Sequence, residues 1–268
     1  MKLIKWLPIL YIFSCINMFI QTTPYNSLYF TGGSWIEFPR IDAMKMASTT
    51  NDFTLQFWVS GGEVSTNEAP ALFSLVDSQE NLKLALLRDT GGNNSITTII
   101  NDDYSQINGI DKLDWSDPDN FILISFIFSD TAPLKIYIND KKQTLSNAGS
   151  IVIGDANLML GAIANLNYGV LENYWYGYVD EMRLWNTHLA DSTIQFQSEH
   201  PDKFGKHYRY TVNDVEIETY LDSLIGLWRF NLSELSATIV DESGYGHNGT
   251  LYTFDSNYSI ELSERGAQ

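Results

Sequence analysis

Three carboxylates at alternate positions, Asp214, Glu216 and Glu218 in the run DVEIE, have a spacing that suits chemistry. On a strand they share one face, and retaining hydrolysis of a glycosidic bond needs two carboxyl groups about 5 Å apart. The same run also reads as a solvated acidic edge or turn, and that reading is adopted. Asp180 and Glu181 are adjacent, hence on opposite faces of a regular strand, and pair only where a bulge intervenes. Ser34 follows Gly33 in GGSWI but lacks the second glycine of a nucleophile elbow. His188, His200, His207 and His247 are scattered without metal-ligand spacing. No catalytic residue is assigned, and enzymatic activity is not expected.

Binding chemistry is better supplied. Tyr104 and Trp115 flank one polar stretch, and Tyr168, Tyr174, Trp175 and Tyr176 crowd another. Flat rings beside Asn and Asp suit stacking on sugar faces with hydrogen bonds to hydroxyls, or a protein interface. Tyr104, Trp115, Tyr168, Tyr174 and Trp175 are therefore the candidate ligand-binding residues. The competing reading is that Trp175 and Tyr176 only pack on the rim of the fold.

The elements that must position these residues read as strands. Runs such as FTLQFWV (53–59), ALFSLV (71–76), LKLALL (82–87), FILISFIF (121–128), LKIYI (134–138) and GYVDEMRLW (177–185) recur between Gly, Asn, Asp and Pro clusters. In FTLQFWV the set Phe53, Leu55, Phe57 and Val59 lines one face, with Thr54 and Gln56 on the other. That is the period of a sheet with one buried face. FILISFIF is apolar nearly throughout, as in a central strand covered on both sides. Asn139-Asp140 reads as a hairpin turn, because both residues tolerate positive φ.

One helix is expected, over Thr187 to Glu199, with Asp191 or Thr187 as its cap. Many strands, one late helix and no βαβ alternation predict an all-β, two-sheet antiparallel sandwich. GLWRF (226–230) is too apolar to be left in water, so the C-terminal tail should pack on the same domain. Glu181, Arg183 and Trp185 alternate onto one side of their strand, so Glu181 can pair with Arg183 beside the indole.

Lys2 and Lys5 precede the apolar run LPILYIFSC, and no acid appears before Glu37. That layout is an export signal over 1–14, followed by a tether over 15–27. IFSC resembles a bacterial lipobox, which makes Cys15 the lipidation candidate and the means of membrane attachment. An ordinary secretion signal cut near Thr23 and an uncleaved anchor are the alternatives. The expected setting is secreted or cell-surface. As the single cysteine of the chain, Cys15 allows no internal disulfide.

Hydrophobic residues at 44% describe a chain able to bury a core. A formal charge of −17 repels phosphate backbones, so nucleic acid is not an expected partner. The expected partner is a glycan or an extracellular protein.

The order of segments resembles the laminin-G-like (concanavalin A-like lectin/glucanase) jelly-roll family, bacterial type. LYFTGGSWIEFP (28–39) is similar to its first strand pair, and DFTLQFWV (52–59) to the phrase in which an acid opens a strand. LKIYINDKKQ (134–143) resembles its hairpin, with Asp140 in place of the usual glycine. LGAIAN (160–165) and GYVDEMRLWNTHLADSTI (177–194) are similar to its closing segments. DESGYGHNGTL after GLWRF resembles an element that follows the helix in bacterial members.

The resemblance implies a jelly roll over 28–198 with a C-terminal extension over 199–268. It implies a recognition module, the alternatives being a glycan hydrolase with an unrecognised site or a structural envelope or adhesion component. Glucanases of this fold carry their acids on a mid-chain strand, unlike DVEIE. Many members of the class bind Ca²⁺ near the last strand, which makes Asp180 the metal candidate. Thr31 stands where an acid is common, and the acidic loops NDD (101–103) and SDPDN (116–120) are the other cation candidates.

Overall fold

The computed structural model describes residues 27–44, 52–62, 69–79, 81–89, 94–129, 131–145, 151, 156–165, 170–201, 209–212, 215–218, 223–232, 234–254 and 260–267. The stretch expected to be an export signal, Cys15, the expected tether up to residue 26 and Tyr168 lie outside the described residues.

Along the chain run β1 (Ser27–Thr31), β2 (Ser34–Glu37), a single turn α1 (Ile41–Met44), β3 (Phe53–Gly61), β4 (Ala71–Val76), β5 (Leu82–Arg88) and β6 (Ile96–Ile100). There follow β7 (Asp103–Ile107), β8 (Ile122–Phe128), β9 (Lys135–Ile138), β10 (Lys141–Gln143), β11 (Asn157–Leu160), β12 (Ile163–Asn165) and β13 (Val170–Glu172). The closing elements are β14 (Tyr176–Trp185), α2 (Asp191–Glu199), β15 (Arg209–Val212), β16 (Val215–Glu218), β17 (Leu224–Arg229), β18 (Thr238–Ile239), β19 (Gly249–Thr253) and β20 (Ile260–Ser263).

Two antiparallel eight-stranded sheets form a jelly-roll sandwich. Sheet A has the order β10-β9-β8-β3-β14-β1-β20, with β17 also on β14; sheet B has the order β18-β19-β2-β11-β4-β5-β6-β7. The core lies between them. Phe57 of sheet A stacks on Phe73 of sheet B at 4.9 Å, and Phe126 meets Phe73 edge-on at 4.9 Å. Such offset and edge contacts add to the burial of the rings.

The alternation in β3 is real, but its second face does not meet water. Helix α2 covers it, and Thr54, Gln56 and Trp58 are buried like their core-facing neighbours. Gln56 Nε2 donates to Gln197 Oε1 (2.7 Å) and Ser125 Oγ (3.0 Å), while its Oε1 accepts from Trp185 Nε1 (2.8 Å). A buried amide is tolerable only when satisfied in this way.

The helix starts at Asp191, with Ala190 at the N-cap and no side-chain cap. The expected cap residues are engaged elsewhere. Asp191 Oδ1 accepts from Tyr137 OH (2.8 Å), while Thr187 stands before the helix start and its carbonyl accepts from Thr54 Oγ1 (2.8 Å), so both residues fasten this segment to sheet A.

The tail is built into the sandwich. β17 pairs with β14 (Met182 opposite Trp228), β19 with β2 (Ile36 opposite Leu251) and β20 with β1 (Leu28 opposite Leu262). Asp241 holds the connecting turn by accepting the backbone N–H groups of Leu227, Ser243 and His247 at 2.9 Å each. Gly244 and Gly246 take positive φ there, as a tight turn requires. Gly249 instead lies in β19, where a Cβ would come within 2.7 Å of the Phe38 ring. It allows close packing and does not turn the chain.

Candidate functional site

Most of the expected ligand-binding rings are not presented to a ligand. Trp115 and Trp175 are 1% and 0% exposed, and they meet edge-on at 5.6 Å. Trp115 Nε1 donates to the Ser95 carbonyl (2.9 Å). Its loop brings Ile110 and Leu113 into the same core, so this polar-looking stretch is an apolar plug closing the rim of the sandwich. The expectation that these two indoles stack on an external ligand is corrected by their burial.

Tyr104 is 69% exposed on β7, the last strand of sheet B. Tyr174 is half-buried 6.4 Å from Trp35, which in turn stacks on Tyr252 at 5.4 Å. The structure therefore does not bring Tyr104, Trp115, Tyr174 and Trp175 together as one site.

The closing strand β14 carries the buried charges. Glu181 and Arg183 form an ion pair, and Arg229 Nε reaches Glu181 Oε2 at 3.1 Å. Val179 pairs with Val59 and Glu181 with Trp58, which leaves Asp180 as an extra residue in a bulge against β3. The bulge relaxes strict alternation, so Asp180 and Glu181 feel one another.

Burial pushes the Asp180 carboxyl up to about 7; the Ala267 N–H pulls against that, Glu181 adds to the rise, and Arg183 and Arg229 lower it. A raised carboxyl pKa means that the folded protein holds a proton between about pH 4 and 7 that the unfolded chain has lost. Stability from this group therefore falls as pH rises through that window. At about 1.4 kcal/mol per unit, the whole shift sets an upper bound near 4 kcal/mol. Asp180→Asn is expected to raise the denaturant midpoint at pH 8 and to change it little at pH 4. A midpoint unchanged at pH 8 overturns this.

Calcium does not fit the residues at Asp180. Asp180 Oδ2 already accepts Ala267 N–H (2.8 Å), and two arginines stand near it. Among the described residues, no three His, Cys, Asp or Glu side chains converge on a point, whereas Ca²⁺ takes about six to eight oxygen ligands. In the loops, Asp102 takes a positive-φ turn, and Asp117 Oδ1 accepts the Asp119 N–H. The run VEIE forms β16, paired with β15 in a two-stranded sheet, with Glu216 opposite Thr211 and Glu218 opposite Arg209. Asp214 lies outside the described residues.

The concave site lies elsewhere, and of the cation and turn candidates singled out in the sequence it takes in only Asp119 and Asn120 of SDPDN and the Asn139-Asp140 turn. A groove of about 1020 Å³ opens over the outer face of sheet A at Trp58. Its walls are Lys112 and Asp119–Phe121 from the loop before β8, Asn139 and Asp140 from the hairpin turn, Ser198 and Glu199 ending α2, and the segment 262–267.

Each wall has a local cause. Asn139 takes φ 51° in the turn, and its Oδ1 accepts the Leu123 N–H (2.9 Å). Asn120 Nδ2 donates to the Lys112 carbonyl (2.8 Å). Past β20 the chain crosses the sheet as a strap. Arg265 pairs with Asp119 and lies 5.7 Å over the Tyr178 ring, and Ala267 N–H reaches Asp180. Beneath it, Phe121, Tyr178 and Tyr29 form an aromatic row at 6.3 and 4.5 Å. Trp58 is 4% exposed, and its Nε1 has no hydrogen-bond partner among the described residues. Phe121 is the half-buried ring that lines the groove, and it can contact a polyhydroxylated ligand that the amides, carboxylates and cations around it hydrogen-bond.

A family model described as the concanavalin A-like lectin/glucanases superfamily, of laminin G type, matches residues 30–195. No curated protein matches the chain. Among solved structures, a Bacteroides ovatus protein described as a candidate carbohydrate binding protein is similar at TM-score 0.53 and 14% identity, over 90% of this chain. The chain spans 61% of that protein's length. A heptameric SAP-like pentraxin from Limulus polyphemus aligns at TM-score 0.49 and 10% identity, over 92% of this chain and 99% of its own. Trypanosoma rangeli sialidase in complex with sialic acid aligns at TM-score 0.49 and 15% identity, over 68% and 29%. At such identities these likenesses speak to fold alone. The family match takes in more than half of the chain, and the chain belongs to the concanavalin A-like lectin/glucanases superfamily.

Proposed function

We propose that this protein is an exported recognition module that binds a glycan in the groove over Trp58 and does not cleave it. The groove carries the reading: it is concave, the half-buried ring of Phe121 lines it, and amide, carboxylate and cationic side chains converge on it. The fold shared with a carbohydrate-binding candidate is consistent with this. Export rests on the basic and apolar start of the chain.

Hydrolysis is disfavoured by the state of two acids that line the groove, Asp119 being tied to Arg265 and Asp140 to Lys141. Glu181 is tied to Arg183 and Arg229, and neither Asp180 nor Glu181 lines the groove.

A glycan array probed with the purified protein is the test. Binding to at least one glycan class is expected, with no release of shorter products. Phe121→Ala should weaken that binding by more than about fivefold, the usual loss for an anchoring ring, with the thermal midpoint checked alongside. An array without any ligand removes the proposal, and depolymerisation of a bound glycan replaces it with the hydrolase reading.

A further inference from the structure

An asparagine followed by glycine occurs twice in the chain, at Asn108-Gly109 and at Asn248-Gly249. The pair is chemically special because glycine has no Cβ to shield its backbone nitrogen from the preceding side chain. The structure places the two pairs in opposite settings.

Asn108 and Gly109 both stand exposed, directly after β7 and outside any strand. Gly109 takes φ 66°, and a Cβ on it would meet nothing within 4 Å. Gly249 instead lies within β19, between β18 and β2, opposite Ile239 and against the Phe38 ring. Asn248 Oδ1 accepts the Asp241 N–H (2.9 Å), which fixes its amide in the turn. The same two residues are open to reaction in one place and clamped in the other.

We infer that Asn108 is a site of spontaneous deamidation, on the loop that supplies Lys112 to the groove, and that Asn248 is protected from it. The Gly109 nitrogen, losing its proton to water, attacks the Asn108 side-chain carbonyl carbon. The bond from that carbon to the amide nitrogen breaks, and the nitrogen takes a proton and leaves as ammonia. Water then adds to either carbonyl of the cyclic imide, and the ring C–N bond opens to aspartate or isoaspartate. Water is the only reagent consumed.

Either product adds a negative charge near Asp111 in the chain. Isoaspartate also inserts a main-chain carbon between Ile107 and Ile110, which are both buried. Ile110 N–H donates to the Asn94 carbonyl (2.9 Å), so the added length falls at the start of the plug that seats Leu113 and Trp115. A close-packed plug has little room to absorb it.

The test incubates the full chain at pH 8, folded and in concentrated urea, and reads each asparagine by peptide mapping with mass spectrometry. In the folded protein Asn108 should convert at least about tenfold faster than Asn248, because Gly249 reacts only when β19 opens. In urea the two rates should converge, since only the shared dipeptide remains. Asn108→Gln should stop conversion in this loop, and that variant should lose less of its melting temperature on ageing than the parent does. No conversion at Asn108, or equal rates at the two asparagines in the folded protein, overturn the inference. A gap that persists in urea overturns the protection by structure, and equal loss of melting temperature overturns the effect on the plug.

Discussion

Removing residues from Ser223 onward is expected to leave a chain with no sharp thermal transition. The segment supplies β17 and β20 to sheet A and β18 and β19 to sheet B. Without it, β14 keeps β3 but loses its second partner over Glu181–Trp185, and β1 and β2 each gain an open edge. Ile225, Trp228, Phe230, Ile239 and Ile260, all at 2% exposure or less, leave the core. At about 1.5–3 kcal/mol per buried side chain, the loss is roughly 10 kcal/mol, comparable to the whole stability of a typical domain at about 5–15 kcal/mol. The exposed edges add a tendency to aggregate. Circular dichroism on heating is the measurement, and a truncated protein melting at the parent temperature overturns the integration of the tail.

Glu181→Gln should cost about 3–5 kcal/mol, because it leaves the Arg183 guanidinium buried without its carboxylate. Arg183 is 1% exposed, and burial already lowers its pKa against the opposing pull of Glu181. Asp180 is a poor substitute, since its own carboxyl is pushed up to about 7 and carries only part of a charge at neutral pH. Arg229 also loses a partner at Glu181. A second substitution, Arg183→Met, added to the first should restore much of the stability, since an apolar side chain of similar length needs no counter-charge. Denaturant midpoints of the three proteins decide it. A single variant as stable as the parent, or a double variant worse than the single, contradicts this account of the pair.

The period-two pattern of Phe53, Leu55, Phe57 and Val59 predicted the core face of β3, and that of Glu181, Arg183 and Trp185 predicted the outward face of β14. Both follow from backbone pleating, which acts between near neighbours in the chain. Asn139 marked a turn because its side chain tolerates positive φ, again a local property. Apolar content in GLWRF announced burial, although not that the tail would thread strands into both sheets.

Other features depend on contacts between residues far apart in sequence. Trp115 and Trp175 stand among polar neighbours, and only the closing of their loops over the rim shows that both rings are core. Gln56 looked solvated until α2 brought Gln197 to it from 141 residues away. The extra residue at Asp180 exists only as a mismatch between β14 and β3, and it brings a buried carboxyl beside Glu181. The groove joins Trp58, the loop before β8, a hairpin turn, the end of α2 and the strap after β20. Local sequence determined strands, turns and the apolar tail because their causes lie within a few residues. The site was decided by tertiary structure alone, because a concave surface exists only where distant segments are packed side by side.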